Sequence, residues 1–186
     1  MPAYNRIRRR TRRAALYVGA YATCVVLSGS RRDPEFMRYD AAAHRVDLTI
    51  TAALNQSNSG YNLNGASYGA HRITVPLGWT VTMDFMNRDV FPHSIAVIRE
   101  PRLLPLRIAK PVFAGAASRA PEIGLPAGSR QKDIAFVASL PGSYLIACGV
   151  PGHTASGSYL SLTVSPVDTV PTYDTNPRAT ASPVRE

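Results

Sequence analysis

The stretch Pro141-Gly-Ser-Tyr-Leu-Ile-Ala-Cys148-Gly-Val-Pro-Gly-His153-Thr-Ala-Ser-Gly-Ser158-Tyr159 decides the reading of this chain. Tyr144, Ile146 and Cys148 alternate with Leu145 and Ala147, the two-residue period of a strand. Pro151-Gly152 breaks the run, His153 follows in the loop, and a second strand starts near Tyr159. One thiol and one imidazole are thus held together at a sheet end. A thiolate and an imidazole make a soft, borderline donor pair suited to copper or zinc. Two donors do not complete a site, and Phe91-Pro92-His93-Ser94, which opens another apolar strand, offers a third.

Working outward, strand-like alternation recurs along the body. It covers Val46–Thr51, His71–Val75, Trp79–Phe85, His93–Ile98, Gln131–Val137 and Tyr159–Val164, with a short strand expected around Tyr61–Leu63. Asn55–Gly69 is rich in Asn, Ser and Gly and reads as turns. Residues 99–128 lack alternation and carry Pro101, Pro105, Pro111, Pro121 and Pro126. So long an excursion inside a compact domain is commonly functional. No amphipathic helix is evident in the body. The expectation is an all-β, antiparallel sandwich or barrel of about seven or eight strands.

The 186 residues suffice for one domain with tails. The formal charge is +9, but residues 1–32 hold eight arginines and no acid, which leaves thirteen basic against twelve acidic residues elsewhere. The basic balance therefore belongs to the N-terminus and does not mark a nucleic-acid-binding domain. Six arginines precede the apolar run Ala14–Leu27, the pattern of an export signal or anchor helix, and Thr11-Arg12-Arg13-Ala14-Ala15-Leu16 resembles a twin-arginine motif. Cleavage after Ser28-Gly29-Ser30 would release the protein. The adopted expectation is a retained helix that tethers the domain outside the cytoplasm, with flanking arginines snorkelling to lengthen the span. The organisation expected is 1–30 signal or anchor, 31–43 linker, 44–165 domain and 166–186 a Pro-rich tail. Cys24 lies in the apolar segment and Cys148 in the domain, so no disulfide framework is expected.

The pairing of Asn87-x5-His93-Ser94 with Cys148-Gly-Val-Pro-Gly-His153-x3-Gly157 resembles the cupredoxin family, and within it the sulfocyanins. The resemblance runs from about Val46 to Val164 and includes Val75-Pro-x-Gly-Trp79 and Phe85-x-Asn87. It implies a Greek-key β-sandwich and copper held in one plane by His93, Cys148 and His153. It implies Asn87 and the backbone N–H of Ser94 as the groups that orient those donors and hydrogen-bond the sulfur. The position of the family's weak axial Met is filled by Ser158, a departure that leaves three outcomes open: copper on three donors, a water as fourth, or a fold that has lost its metal.

Other residues carry blander readings. His44 and His71 read as surface or turn residues, the pair Met83 and Met86 as core and edge, and Asp84, Asp89 and Asp133 show no paired-carboxylate pattern. Ser94 has no acid partner or oxyanion motif, and a Cys148–His153 hydrolase is disfavoured by the third donor. No enzyme activity, small-molecule substrate or nucleic-acid partner is expected. The function implied is one-electron transfer by a type 1 copper protein at the extracytoplasmic membrane face, partnered by a redox protein or membrane-embedded electron-transfer complex. The alternative is a copper-less structural subunit of such a complex, of photosynthetic reaction-centre or respiratory-oxidase type.

Overall fold

The computed structural model describes residues 35–176. The N-terminal helix expected over 14–30, and the last ten residues of the tail, lie outside the described residues. Among the described residues, no helix is long and apolar enough to cross a membrane.

Among the described residues, nine strands build two facing sheets: β1 Met37–Asp40, β2 Arg45–Ala52, β3 His71–Pro76, β4 Thr80–Asn87, β5 Ala96–Arg99, β6 Arg130–Val137, β7 Gly142–Ala147, β8 Tyr159–Ser165 and β9 Thr172–Thr175. The first sheet has the order β1-β2-β4-β6 and the second β5-β7-β8-β3-β9. Alternation puts Val46, Leu48 and Ile50 of β2 and Val81, Met83 and Phe85 of β4 into the space between the sheets. There they join Ile73 and Val75 of β3, Tyr144 and Ile146 of β7, and Leu160, Leu162 and Val164 of β8 in one core.

The expectation of an antiparallel sandwich is corrected. β2 pairs with β4 in parallel, and so does β3 with β8. The reason is connectivity. Between β2 and β4 the chain crosses to the opposite sheet, lays down β3, and returns in its original direction. A crossover of this kind is what parallel neighbours require.

The strand count also exceeds seven or eight. β1 lies in the stretch read as a linker and β9 in the stretch read as a tail. Both are four-residue edge strands, too short to show alternation, yet Met37 is buried and Tyr173 packs against the core. Tyr173 Oη lies 3.3 Å from both Asn64 Nδ2 and His71 Nδ1, and burial pushes its pKa up to about 12.

No strand forms between Arg99 and Arg130. Instead the excursion covers the outer face of the second sheet, where Ile108 packs with Ala96, Leu145 and Ala147. Both faces of β7 are therefore buried, one by the core and one by this loop.

Candidate metal centre

β7 ends at Ala147, and the next residue, Cys148, stays in register with the returning chain by donating its backbone N–H to Ser158 O at 3.0 Å. The turn between them is closed by its own hydrogen bonds. Thr154 Oγ1 donates to Cys148 O at 2.6 Å, His153 N to Val150 O at 3.1 Å, and Ser158 N to His153 O at 3.0 Å. Such a turn has few ways to move, so Sγ and the His153 ring keep one relative position. His93 reaches the same place from the neighbouring strand, since β5 pairs with β7 and Ala96 lies opposite Ala147. It precedes β5 and exchanges backbone hydrogen bonds with Leu125 at 3.2 and 2.7 Å.

The donor atoms of His93, Cys148 and His153 lie within 4.8 Å of one another. Cys148 Sγ is 3.5 Å from His153 Nδ1 and 3.7 Å from His93 Nδ1. His93 and Cys148 are buried and His153 is half-buried, so His153 is the member nearest solvent. The structure thus brings together the three residues singled out from the sequence. His44 and His71 lie elsewhere: His44 stacks on Trp79 at 5.3 Å, and His71 meets Tyr173 edge-on at 5.5 Å.

The residues expected to orient the donors divide. Ser94 N donates to Cys148 Sγ at 3.3 Å. Its hydroxyl donates to Pro121 O at 2.5 Å and accepts from Gly149 N at 2.8 Å, so Ser94 also fixes the loop around the sulfur. Asn87 does not hydrogen-bond the sulfur. Its Nδ2 donates to Phe91 O and Leu125 O at 2.8 and 2.9 Å, and its Oδ1 accepts from Asp89 N at 2.9 Å. It holds the segment that carries His93.

Two contributors escaped the sequence reading. Asp89 Oδ2 lies 3.0 Å from His93 Nε2. A carboxylate only accepts, so Nε2 carries the proton and Nδ1 presents its lone pair to the sulfur side. Burial would raise the Asp89 carboxyl, but hydrogen bonds from His93, Phe91 and Val90 outweigh it and hold the pKa low. Tyr61 is the second. Its ring stands edge-on to His153 at 5.0 Å and lies 6.5 Å from His93. The Asn-rich loop delivers it there, since Asn58 Nδ2 donates both to Tyr61 O at 2.8 Å and to Ser156 O at 2.6 Å. The buried Asn62 and Asn64 tie the same loop to the backbone of Thr49, Thr51 and Leu54.

The electrostatics are those of an apolar pocket. Burial pushes the Cys148 thiol up, and backbone N–H groups of Ser94 and Val150 offset part of the rise. Burial lowers His93, opposed by Asp89, and burial together with His93 lowers His153 to about 4. Both imidazoles are therefore neutral and ready to donate at neutral pH.

Ser158 is fully buried, and its hydroxyl has no hydrogen-bond partner. Its main chain bonds Cys148 and His153, which places it beside the donors. An unpaired buried hydroxyl is costly unless some other group engages it. Two imidazoles and a thiolate are a set that fits type 1 copper. A polar cleft of about 400 Å³, lined by Arg72, Glu100, Tyr159 and Ser161 among others, contains none of these donors.

Comparison with known proteins agrees with this geometry. A family profile described as the sulfocyanin (SoxE) domain matches residues 34–175. A sulfocyanin from Sulfolobus acidocaldarius is 27% identical over an alignment of 142 residues that covers 72% of this chain and 70% of that protein. Among solved structures, reduced auracyanin from Roseiflexus castenholzii is 23% identical at a TM-score of 0.47, covering 64% of this chain and 97% of its own. Auracyanin A from Chloroflexus aurantiacus, described as a "blue" copper protein, is 18% identical at a TM-score of 0.45, covering 65% and 99%.

Proposed function

This chain belongs to the sulfocyanin family, and from that premise we propose that it is a one-electron carrier whose copper is held by His93, Cys148 and His153. The observation that carries the reading is the meeting of a buried thiol with two Nδ1 atoms at 3.5 and 3.7 Å. Copper, when bound, supplies the one-electron couple. The chain supplies the rest. Cys148 gives up its thiol proton on metal binding, because the thiolate and not the thiol is the ligand. Ser94 N–H hydrogen-bonds the sulfur and drains charge from it. Asp89 holds the His93 proton on Nε2, away from the donor lone pair. Tyr61 packs on His153 and limits water at the site. A self-bonded turn and a buried setting resist change between oxidation states, which favours fast exchange.

The carrier is read as tethered at the extracytoplasmic face by its N-terminal segment and as serving a membrane redox complex. The arginine cluster before the apolar run supports this. His153, as the donor nearest solvent, is read as the exit side.

A copper assay with a visible spectrum on membrane-extracted protein tests the proposal. One copper per chain, with a thiolate-to-copper band that bleaches on reduction and vanishes in Cys148→Ser, is the expected result. Failure to take up supplied Cu(II) would sink it and favour the copper-less structural subunit. Ser158→Ala sharpens the test. Removing an unpaired buried hydroxyl should stabilise the apoprotein by about 1 kcal/mol. A shifted spectrum in the same variant would show that the hydroxyl serves the metal.

A further inference from the structure

We propose that His71 and Tyr173 form a proton-operated clasp, which holds β9 on the edge of the second sheet at neutral pH and releases it on acidification. The clasp lies away from the metal centre and does not depend on the carrier reading above.

β9 is four residues long and has β3 as its one neighbour, so its ladder alone holds it weakly. Tyr173 is its inward anchor. The ring packs against the core and lies 6.0 Å from Phe36, which precedes β1. The hydroxyl sits between Asn64 Nδ2 and His71 Nδ1, 3.3 Å from each. Asn64 fixes the direction of both hydrogen bonds. Its Oδ1 accepts from Thr51 N at 2.7 Å and its Nδ2 donates to Thr49 O at 2.8 Å, so the amide cannot turn over without losing both. The same Nδ2 therefore donates to the phenol oxygen, and the phenol proton is left with His71 Nδ1 as its acceptor. An imidazole accepts at Nδ1 only when it is neutral and carries its proton on Nε2. Protonation of His71 sets a second donor against the phenol, and the Tyr173 O–H loses its acceptor. Tyr173 cannot escape by ionising, because burial holds its pKa up at about 12.

The neighbours leave His71 as the group that titrates here. Arg72 and Asp174 are register partners that follow His71 and Tyr173 in the chain, so alternation turns both to the opposite face. Tyr159 of β8 lines a cleft on that face with Arg72. β2 and the Asn-rich loop meet the pair through the backbone of Thr49 and Thr51 and through Asn64, and Glu35, beside Phe36, is exposed. Burial is what lowers the His71 pKa. The other anchor of β9 is Asn176, which donates through N to Ala70 O and through Nδ2 to Gly69 O and Ser161 Oγ, and accepts from Arg72 Nη2. Those bonds do not respond to pH in this range. His71 is half-buried, so a proton reaches it from solvent. Once β9 is released, the imidazole titrates near its ordinary value of about 6.5. In the clasped state it titrates lower. Between the two values the released state holds more protons, so acid favours release. Release bares the backbone edge of β3 and takes one tie from the loop that carries Tyr61.

The test is hydrogen exchange of the full chain, read on the peptide that spans β9 and corrected for the intrinsic pH dependence of exchange. Protection of β9 should fall by about tenfold between about pH 6.5 and about pH 5, the scale set by one proton taken up on release. His71→Asn keeps an oxygen acceptor where Nδ1 stood and cannot titrate. It should hold the protection seen at neutral pH and lose this acid fall. Global loosening through His93 and His153 persists in that variant, so the difference between the two chains reports the clasp. Tyr173→Phe should lower β9 protection already at neutral pH. No acid fall in the native chain, or an equal fall in His71→Asn, would overturn the proposal. If a variant fails to fold, the native chain still decides. Nitrogen NMR of the His71 ring should show the Nε2–H tautomer at neutral pH and a midpoint below about 6.5. An Nδ1–H tautomer, or a midpoint at or above that value, would overturn the clasp as well.

Discussion

The Asp89–His93 pair sets the finest level of control in the site. A carboxylate at 3.0 Å from Nε2 fixes the ring's tautomer and its orientation at once. Asp89→Ala should lower copper affinity by about 10–100-fold, and Asp89→Asn, which keeps an acceptor, by less. A titration against a competing chelator measures both, and equal affinity in Asp89→Ala would refute the role. The same burial has a pH consequence in the apoprotein. His153 titrates at about 4 in the folded state, and His93 is lowered too. In the unfolded chain an imidazole titrates near its ordinary value of about 6.5. Between those values the unfolded chain holds more protons, so folding stability rises with pH there. Acidification should therefore weaken the apoprotein from about pH 6.5 downward, with this contribution fully lost below about pH 4. Urea midpoints across that window check the sign, and a flat profile would contradict it. Residue type and spacing pointed to His93, Cys148 and His153. They were silent on Asp89, since a carboxylate in a turn four residues before a histidine belongs to no pattern of its own.

At the scale of elements, the metal centre is an agreement between one turn and one long loop. The prolines of 99–128 marked the loop as irregular, and it forms no strand. They said nothing of where it would lie. It lies on β5 and β7 because Ile108 and its neighbours need cover and because Gly149 lets two backbones meet. Gly149→Ala places a methyl against two carbonyl oxygens that cannot rotate away. It should destabilise the domain by about 2–3 kcal/mol and loosen copper retention. Gly152→Ala is the control. It has open space around its Cβ and a φ of +83°, so strain alone should cost about 1 kcal/mol. Similar losses in thermal unfolding for the two variants would argue against the backbone contact. Tyr61 belongs to this scale as well. Its loop was read as turns, but only the asparagine hydrogen bonds that fold it bring the ring onto His153.

Over the whole molecule, the domain is held at its margins by β1 and β9. Ending the chain after Val170 would leave the β3 edge unpaired and strip away Tyr173, at a cost of about 2 kcal/mol. A fall in Tm of roughly 6 °C is expected for a domain of this size. An unchanged Tm would show that β9 is dispensable. The sequence by itself determined that the protein is built from strands, where most of them lie, and which three donors could bind a metal. These follow from local properties: a two-residue period, turn residues, and the chemistry of thiol and imidazole. Only the tertiary structure decided that two strand pairs run parallel, that the described residues form nine strands and not seven or eight, and that Asp89 meets His93 and Tyr61 meets His153. Alternation states which side of a strand faces the core. It carries no information about which strand lies beside it or in which direction. Contacts between residues far apart in the chain exist only once those neighbours are chosen.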